Sequence, residues 1–321
     1  MPYITHRQAT HEYHELFRQR SATMAIFCTG SHWNTEAILL AAQRIGEKHR
    51  LTQVPVAVAM TGTYPHMPQA RRATYHGDPR VGFLSVMAHL RLLTDGDDAP
   101  YRTVVALPHL DHHDPIRDRW ALTEGVEHVA TVMFDAQKYP LEENIALTRD
   151  YVAAYGGRVM IEGIIEELSV AGMKDAVQKD DYVEKAADFV ARTGVDFIVA
   201  DLGTEQQSLH AGGVTYLDER ARALTGALGG SRLVLHGTSS LQPHQMGSLA
   251  ADGVIRANMW TRIVREAGQA AAARLLARYP QIERGDFEAT EANQYLRDST
   301  EAAAECMVEI MELLGYGWLG L

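Results

Sequence analysis

The sequence predicts an α/β protein whose strands close into a (β/α)8, TIM-type barrel followed by extra C-terminal helices. Three observations predict it. Short β-branched runs alternate with longer amphipathic segments; the runs number eight; and several, VPVAVAM and LVLHG among them, are apolar along nearly their whole length, as parallel strands covered on both faces must be. In chain order the runs are residues 23–29, 54–62, 103–111, 128–136, 158–165, 196–203, 232–238 and 253–260. Helical stretches fall between them, including 34–48, 141–154, 182–192 and 218–227. An open doubly wound sheet is the alternative, but no GxGxxG opens the first unit. The barrel occupies about residues 20–265 of one domain, and 266–321 is a helical extension. Its apolar end, 307–321, suits either an oligomer contact or packing against its own barrel.

Composition supports this reading and removes other classes. With 321 residues, 46% hydrophobic and 22% charged, the chain builds a large core. Eleven prolines and no low-complexity tract exclude a disordered or collagen-like chain, and no apolar stretch approaches the roughly 20 residues that span a bilayer. The first twenty residues are rich in His, Arg and Glu without an apolar h-region, so a cytoplasmic location is expected. Cys28 and Cys306 are the two cysteines; they suit reduced thiols and exclude a CysXXCys site. Thirty Lys and Arg against 41 Asp and Glu give a formal charge of −11. No basic field is available for nucleic acid, and an anionic substrate needs a local pocket. Of the 15 histidines most stand alone, such as His49, His76, His89 and His128; the clustered ones carry the argument.

In a barrel the chemistry sits where strands end, and polar residues collect there. The second run ends in Thr61-Gly62-Thr63, the third in Asp111-His112-His113, the fourth in Asp135, the sixth in Gly203-Thr204-Glu205-Gln206, the seventh in His236-Gly237-Thr238-Ser239, and the eighth in Asn258 and Thr261. An adjacent carboxylate and imidazole supply a metal ligand and a proton carrier close together. His236, from a separate strand, adds a second imidazole, as for a catalytic zinc with one position open to substrate. The segments 237–239 and 258–261 follow the strands where barrels often bind phosphate through backbone N–H groups and short hydroxyls.

These residues resemble the class II, metal-dependent ketose-bisphosphate aldolases, which include fructose- and tagatose-bisphosphate aldolases. The resemblance spans about residues 20–265 and rests on LDHHDP (110–115), VMFDAQKYPLEENIALTRDYV (132–152), VDFIVADLGT (195–204) and LVLHGTSSL (233–241), with GTYPHM (62–67) and the Asn258 turn as weaker supports. It implies a (β/α)8 barrel, and a zinc or other divalent cation that polarises the ketone of dihydroxyacetone phosphate so that an enediolate adds to an aldehyde. It also implies small phosphorylated ketone and aldehyde substrates, no nucleic-acid or membrane partner, and a homodimer or homotetramer. Asp111 then matches the catalytic acid, with Asn258 beside the ketone. His112 and His236 match zinc ligands, and Asp135 and Glu162 match acidic residues, the first of them tied to a second cation position. Gly203, Gly237, Ser239 and Thr261 match the substrate and phosphate pocket, and Thr61, at the end of the second run, is a further candidate for substrate binding.

The pattern also breaks. Where the family carries a third histidine ligand, Gln206 stands here, and an amide oxygen is a poor substitute for imidazole; Glu205 is the nearest replacement, with Asp201, His210 or a substrate oxygen as others. The fifth run carries Glu162 followed by Gly163 and Ile164, without a second glutamate. Glu166 and Glu167 are the candidates for the base, and Lys138 is a candidate partner of phosphate or of Asp135. Three functions fit: a diverged aldolase with an unusual aldehyde, related enolate chemistry such as epimerisation or retro-aldol cleavage with weak or no metal, and a non-catalytic partner subunit.

Overall fold

In a computed structural model, residues 2–166, 181–205, 216–290 and 294–320 are described. Helix α1 (Arg7–Gln19) precedes β1 (Met24–Cys28), and α2 (His32–His49) leads to β2 (Val54–Thr61). Helices α3 (Gln69–Arg72) and α4 (Pro79–Thr94) lead to β3 (Val104–His113), α5 (Arg119–Thr123) to β4 (Thr131–Phe134), and α6 (Leu141–Tyr155) to β5 (Met160–Ile164). Then α7 (Tyr182–Thr193) precedes β6 (Phe197–Val199), α8 (Asp218–Ala227) precedes β7 (Leu233–Leu235), and α9 (Pro243–Ser248) precedes β8 (Val254–Met259). Helices α10 (Thr261–Glu283), α11 (Phe287–Thr290) and α12 (Gln294–Leu313) follow the last strand.

Every strand pairs in parallel with its sequence neighbours, and β8 closes on β1 through Met24↔Arg256 to Phe27↔Met259. All residues of the eight strands are buried, because helices cover the outside and side chains fill the inside. Local chemistry sets several boundaries. Asp78 caps α4 by accepting from the N–H groups of Arg80 and Val81, with Pro79 at the first helical position. Gly194 ends α7 in the left-handed region.

The sequence reading did not anticipate α1, which closes the end of the barrel where the strands begin. Arg7 N–H donates to Arg158 O, and its guanidinium donates to Val159 O at 3.0 Å and to Asp196 Oδ2 at 2.7 Å. At the other terminus α12 packs on both α2 and α10. The Tyr316 hydroxyl, in the short turn after α12, accepts from Ala25 N–H and donates to Pro55 O, each at 3.0 Å, tying the C-terminal segment to β1 and β2. No described helix is long and apolar enough to cross a membrane.

The barrel interior holds an ion pair. Arg256 on β8 and Glu162 on β5 are both fully buried, with Nη1 2.5 Å from Oε1. The contact is Coulombic rather than an aligned hydrogen bond; Nη2 donates to Thr131 Oγ1 at 3.1 Å. Removing one partner of a buried pair strands the other charge, so Arg256→Met is expected to cost about 3–5 kcal/mol in guanidinium unfolding, with part recovered in Glu162→Leu/Arg256→Met. A loss below about 1 kcal/mol would show that the pair is screened as a surface pair is.

Candidate active site

The site begins with an irregularity in β3. Leu110 pairs with Val132 and His113 with Phe134, so β3 carries one residue more than β4 over this stretch. His112, inside the bulge, has φ +50°, one of the few non-glycine residues in the left-handed region. A regular strand sends successive side chains to opposite faces. The bulge re-aims one of them, and Asp111 and His112 line the same cavity. Across the mouth, His236 follows β7, where Thr204 Oγ1 donates to its carbonyl at 2.7 Å. One ligand atom each from Asp111, His112 and His236 lies within 4.8 Å of the others, and all three residues are buried.

Neighbours fix these side chains. His112 Nδ1 donates to Asp135 Oδ2 at 2.7 Å, which leaves Nε2 as the atom offered to the cavity. The Tyr64 ring stacks on the His112 ring at 4.2 Å and 11°, and the His236 ring meets it edge-on at 4.9 Å. Asn258 Nδ2 donates to Asp111 Oδ1 at 3.0 Å. Asp118 stitches the loops after β2 and β3 by accepting from Thr63 N–H at 2.9 Å and Asp114 N–H at 3.0 Å. Gly62 is required there, since a Cβ would lie 2.4 Å from Asp118 Oδ1.

The cluster polarises itself. Burial works against the Asp111 carboxylate, but the imidazoles of His112, His236 and His109 and the Asn258 amide outweigh it and hold its pKa at about 2. Burial and then the charge on His112 bring His236 down to about 4, a neutral imidazole suited to binding a cation. For His112 burial opposes the charge, yet Asp111 and Asp135 outweigh it and raise its pKa. Burial, then the Asp111 carboxylate, push the Cys28 thiol well above its usual range, so it keeps its proton.

The far wall is built for close approach. Gly237 has φ +69°, and a Cβ there would come within 2.8 Å of the Glu205 carbonyl. Thr238–Ser240 forms a 3-10 turn, Thr238 Oγ1 donates to Asn258 O at 2.6 Å, and Ser239 Oγ accepts from Arg262 N–H at 3.1 Å, joining the turn to the start of α10. Gly237, Thr238, Ser239 and Thr261 all line the cavity, so a turn and a helix N-terminus face the same space as the imidazoles.

The sequence matches the family described as fructose-bisphosphate aldolase class-II over residues 10–317. The chain belongs to that family. Aldol cleavage and addition is the chemistry of these enzymes. Among curated relatives, a 6-phospho-5-dehydro-2-deoxy-D-gluconate aldolase of Shouchella clausii is 35% identical over 51% of this chain, which spans 55% of that protein's length. The D-tagatose-1,6-bisphosphate aldolase subunit GatY of Klebsiella oxytoca is 28% identical over 72% of this chain and 81% of its own. The fold is similar to that of the fructose-bisphosphate aldolase of Campylobacter jejuni, with a TM-score of 0.73 and 17% identity over 95% of this chain and 93% of that one. The YdjI aldolase of Escherichia coli K12 gives 0.64 and 19% over 95% of each.

Set against the aldolase resemblance, the geometry sorts the expected residues. Asp111, His112, His236 and Asn258 meet, and Gly237, Ser239 and Thr261 face them. Several expectations need correction. Glu162 is not at the cluster but paired with Arg256, and the carboxylate of Asp135 grips the His112 ring instead of pointing at the cation position. Thr61 does line the cavity, with its hydroxyl donating to Met67 O and accepting from Gln69 N–H. Gly203 is not in the wall; its N–H donates to Asp201 Oδ1 at 3.0 Å. Glu205 contributes backbone against Gly237, and its carboxylate is not in the cluster found among the described residues. Glu166 is half-buried and interacts electrostatically with Tyr182 and Lys185. Lys138 pairs with Asp114, not Asp135. Gln206, His210 and Glu167 lie outside the described residues.

Sequence reasoning missed Cys28, Gln69 and Tyr64. Cys28 ends β1, so the strand-end rule that selected Asp111 also covers it; its apolar surroundings hid it. In metal-free protein the shifts have a definite sign. An unfolded histidine takes up its proton near 6.5 and native His236 near 4, so His236 makes the fold lose stability as pH falls through that window. Asp111 extends the loss from about 3.9 toward 2, whereas the contribution of His112 is lost as pH rises through its raised pKa. Metal-free His236→Gln should therefore lose less melting temperature than the parent between pH 6.5 and 4; equal losses would contradict the assignment.

Proposed function

We propose that this chain catalyses reversible aldol cleavage of a phosphorylated ketose, releasing or consuming dihydroxyacetone phosphate or a related ketone phosphate, with a divalent cation, zinc by its ligand types, held by His112 and His236. The observation that carries the proposal is the meeting of Asp111, His112 and His236 within 4.8 Å in a cavity that also includes the Gly237–Ser239 turn and Thr261. The buried residues fit such a cation: His236 is a neutral imidazole, and His112 has its second nitrogen held by a carboxylate, the arrangement that orients metal-ligating histidines. When bound, the cation supplies Lewis-acid polarisation of the ketone carbonyl.

The remaining work belongs to the chain. Asp111, ionised at neutral pH, takes the proton from the hydroxyl that becomes the aldehyde and returns it in the addition direction. Asn258 holds that carboxylate through Oδ1 and faces the ketone. Gly237, Ser239 and Thr261 take the phosphate, where backbone N–H groups and the α10 N-terminus favour an anion without a basic surface. We assign the α-proton of the ketone to Glu166 or Glu167, which begin the segment after β5. The two curated relatives support a phosphorylated sugar substrate through their names. A cytoplasmic location and a homo-oligomer accompany this reading, the oligomer supported by exposed Leu275, Leu276 and Tyr279 on α10 and Phe287 on α11.

The test combines metal analysis with an assay for released ketone phosphate, using fructose and tagatose 1,6-bisphosphates and 6-phospho-5-dehydro-2-deoxygluconate. Near-stoichiometric divalent metal, lost in His112→Ala and His236→Ala, is expected. Asp111→Asn should keep the metal and lose about 10²–10⁴-fold in kcat. Protein that holds no divalent ion, or Asp111→Asn with the parent's rate on a cleaved substrate, overturns the proposal.

A further inference from the structure

Under the cluster two buried side-chain amides, Gln69 and Asn258, have their hydrogen-bond directions set by their neighbours. The backbone N–H of Thr61 can only donate, and Gln69 Oε1 accepts it at 2.9 Å. This sets the Gln69 amide, whose nitrogen donates to Met67 Sδ at 3.3 Å. Beside it the Cys28 thiol, which keeps its proton, donates to Asn258 Oδ1 at 3.0 Å, with Asp111 Oδ2 further off at 3.4 Å. An Asn258 oxygen that accepts from Cys28 places the amide nitrogen against Asp111 Oδ1 at 3.0 Å. Thr61, Gln69, Cys28, Asn258 and Asp111 are all buried. Reversing either amide would set donor against donor or acceptor against acceptor, which is costly away from water.

We propose that Cys28 is a positioning residue of the aldol reaction: its thiol hydrogen orients the Asn258 amide, and through it the Asp111 carboxylate, for proton transfer. The inference rests on the role of Asp111 given above. Cys28 does not attack substrate; it holds the Asn258 oxygen while the Asp111 carboxylate holds the amide nitrogen, so the amide is fixed from both ends. Proton transfer is sensitive to such placement, so the effect belongs in kcat.

The experiment uses the full-length protein with Cys306→Ala as background, leaving one thiol. Its S–H stretching band is expected below the free-thiol position in the infrared, and Asn258→Ala should move it back up. Cys28→Ala is expected to lower kcat about tenfold with KM changed less than about twofold, while Cys28→Ser, which keeps a donor, returns to within about threefold of the background protein. Melting temperatures check that the variants fold. A band at the free-thiol position, an unchanged kcat in Cys28→Ala, or a folded Cys28→Ser as impaired as Cys28→Ala overturns the inference. Asp111→Asn separates the two readings: if it is inactive while Cys28→Ala is normal, the positioning role fails alone, and if it is fully active, the assignment of Asp111 fails.

Discussion

The left-handed backbone at His112 is the constraint on which the site depends. It places a β-bulge at the end of β3, so a carboxylate and an imidazole that are neighbours in sequence face one cavity. Such a conformation costs a non-glycine residue on the order of 1 kcal/mol. The surroundings that hold it are visible: Asp135 grips Nδ1, Tyr64 stacks on the ring, and His113 Nδ1 contacts Asp111 O at 3.0 Å. Straightening β3 would return His112 or Asp111 to the wrong face, and His236 would have no partner across the mouth.

Charge follows from that geometry. The protein carries −11 overall, yet its site gathers nitrogen groups: two imidazoles, the Asn258 amide and the amides at the start of α10. The negative partners are shared out. Asp111 faces the cavity, Asp135 stands behind His112, and Glu162 is matched by Arg256 deeper in the barrel. Arg256 and Glu162 thus keep a charged layer beneath the cluster without drawing Glu162 toward the cation position. The bottom of the barrel is closed by α1 and the top is left to the loops, which is the usual division between stability and chemistry in this fold.

Much of this was legible in the sequence. All eight strands were read within a few residues, because parallel strands buried on both faces are continuously apolar and their ends are marked by polar clusters. Asp111, His112 and His236 were found by that same end-of-strand rule. Helix α1 was not, since its polar composition gives no strand-like signal and its role depends on Arg7 reaching Asp196. Nor was the bulge, so the sequence showed which carboxylates stand near the site without showing which one faces the cation position. The carboxylates of Asp135 and Glu162 turn elsewhere for that reason: side-chain direction at a strand end depends on register shifts and neighbouring loops. Arg256 lies between Ile255 and Ala257 in β8, and Glu162 was assigned by its match to an acidic residue of the family, which says nothing of this partner.

The central claim is that two imidazoles from β3 and β7 share one divalent cation beside Asp111. X-ray absorption at the metal edge of zinc-loaded protein reads this directly, because imidazole rings give characteristic outer-shell scattering and Zn–N and Zn–O bonds near 2.0–2.1 Å are separable from Zn–S near 2.3 Å. The account predicts two imidazoles with oxygen ligands and no sulfur. A first shell without histidine, or one containing sulfur, would contradict it.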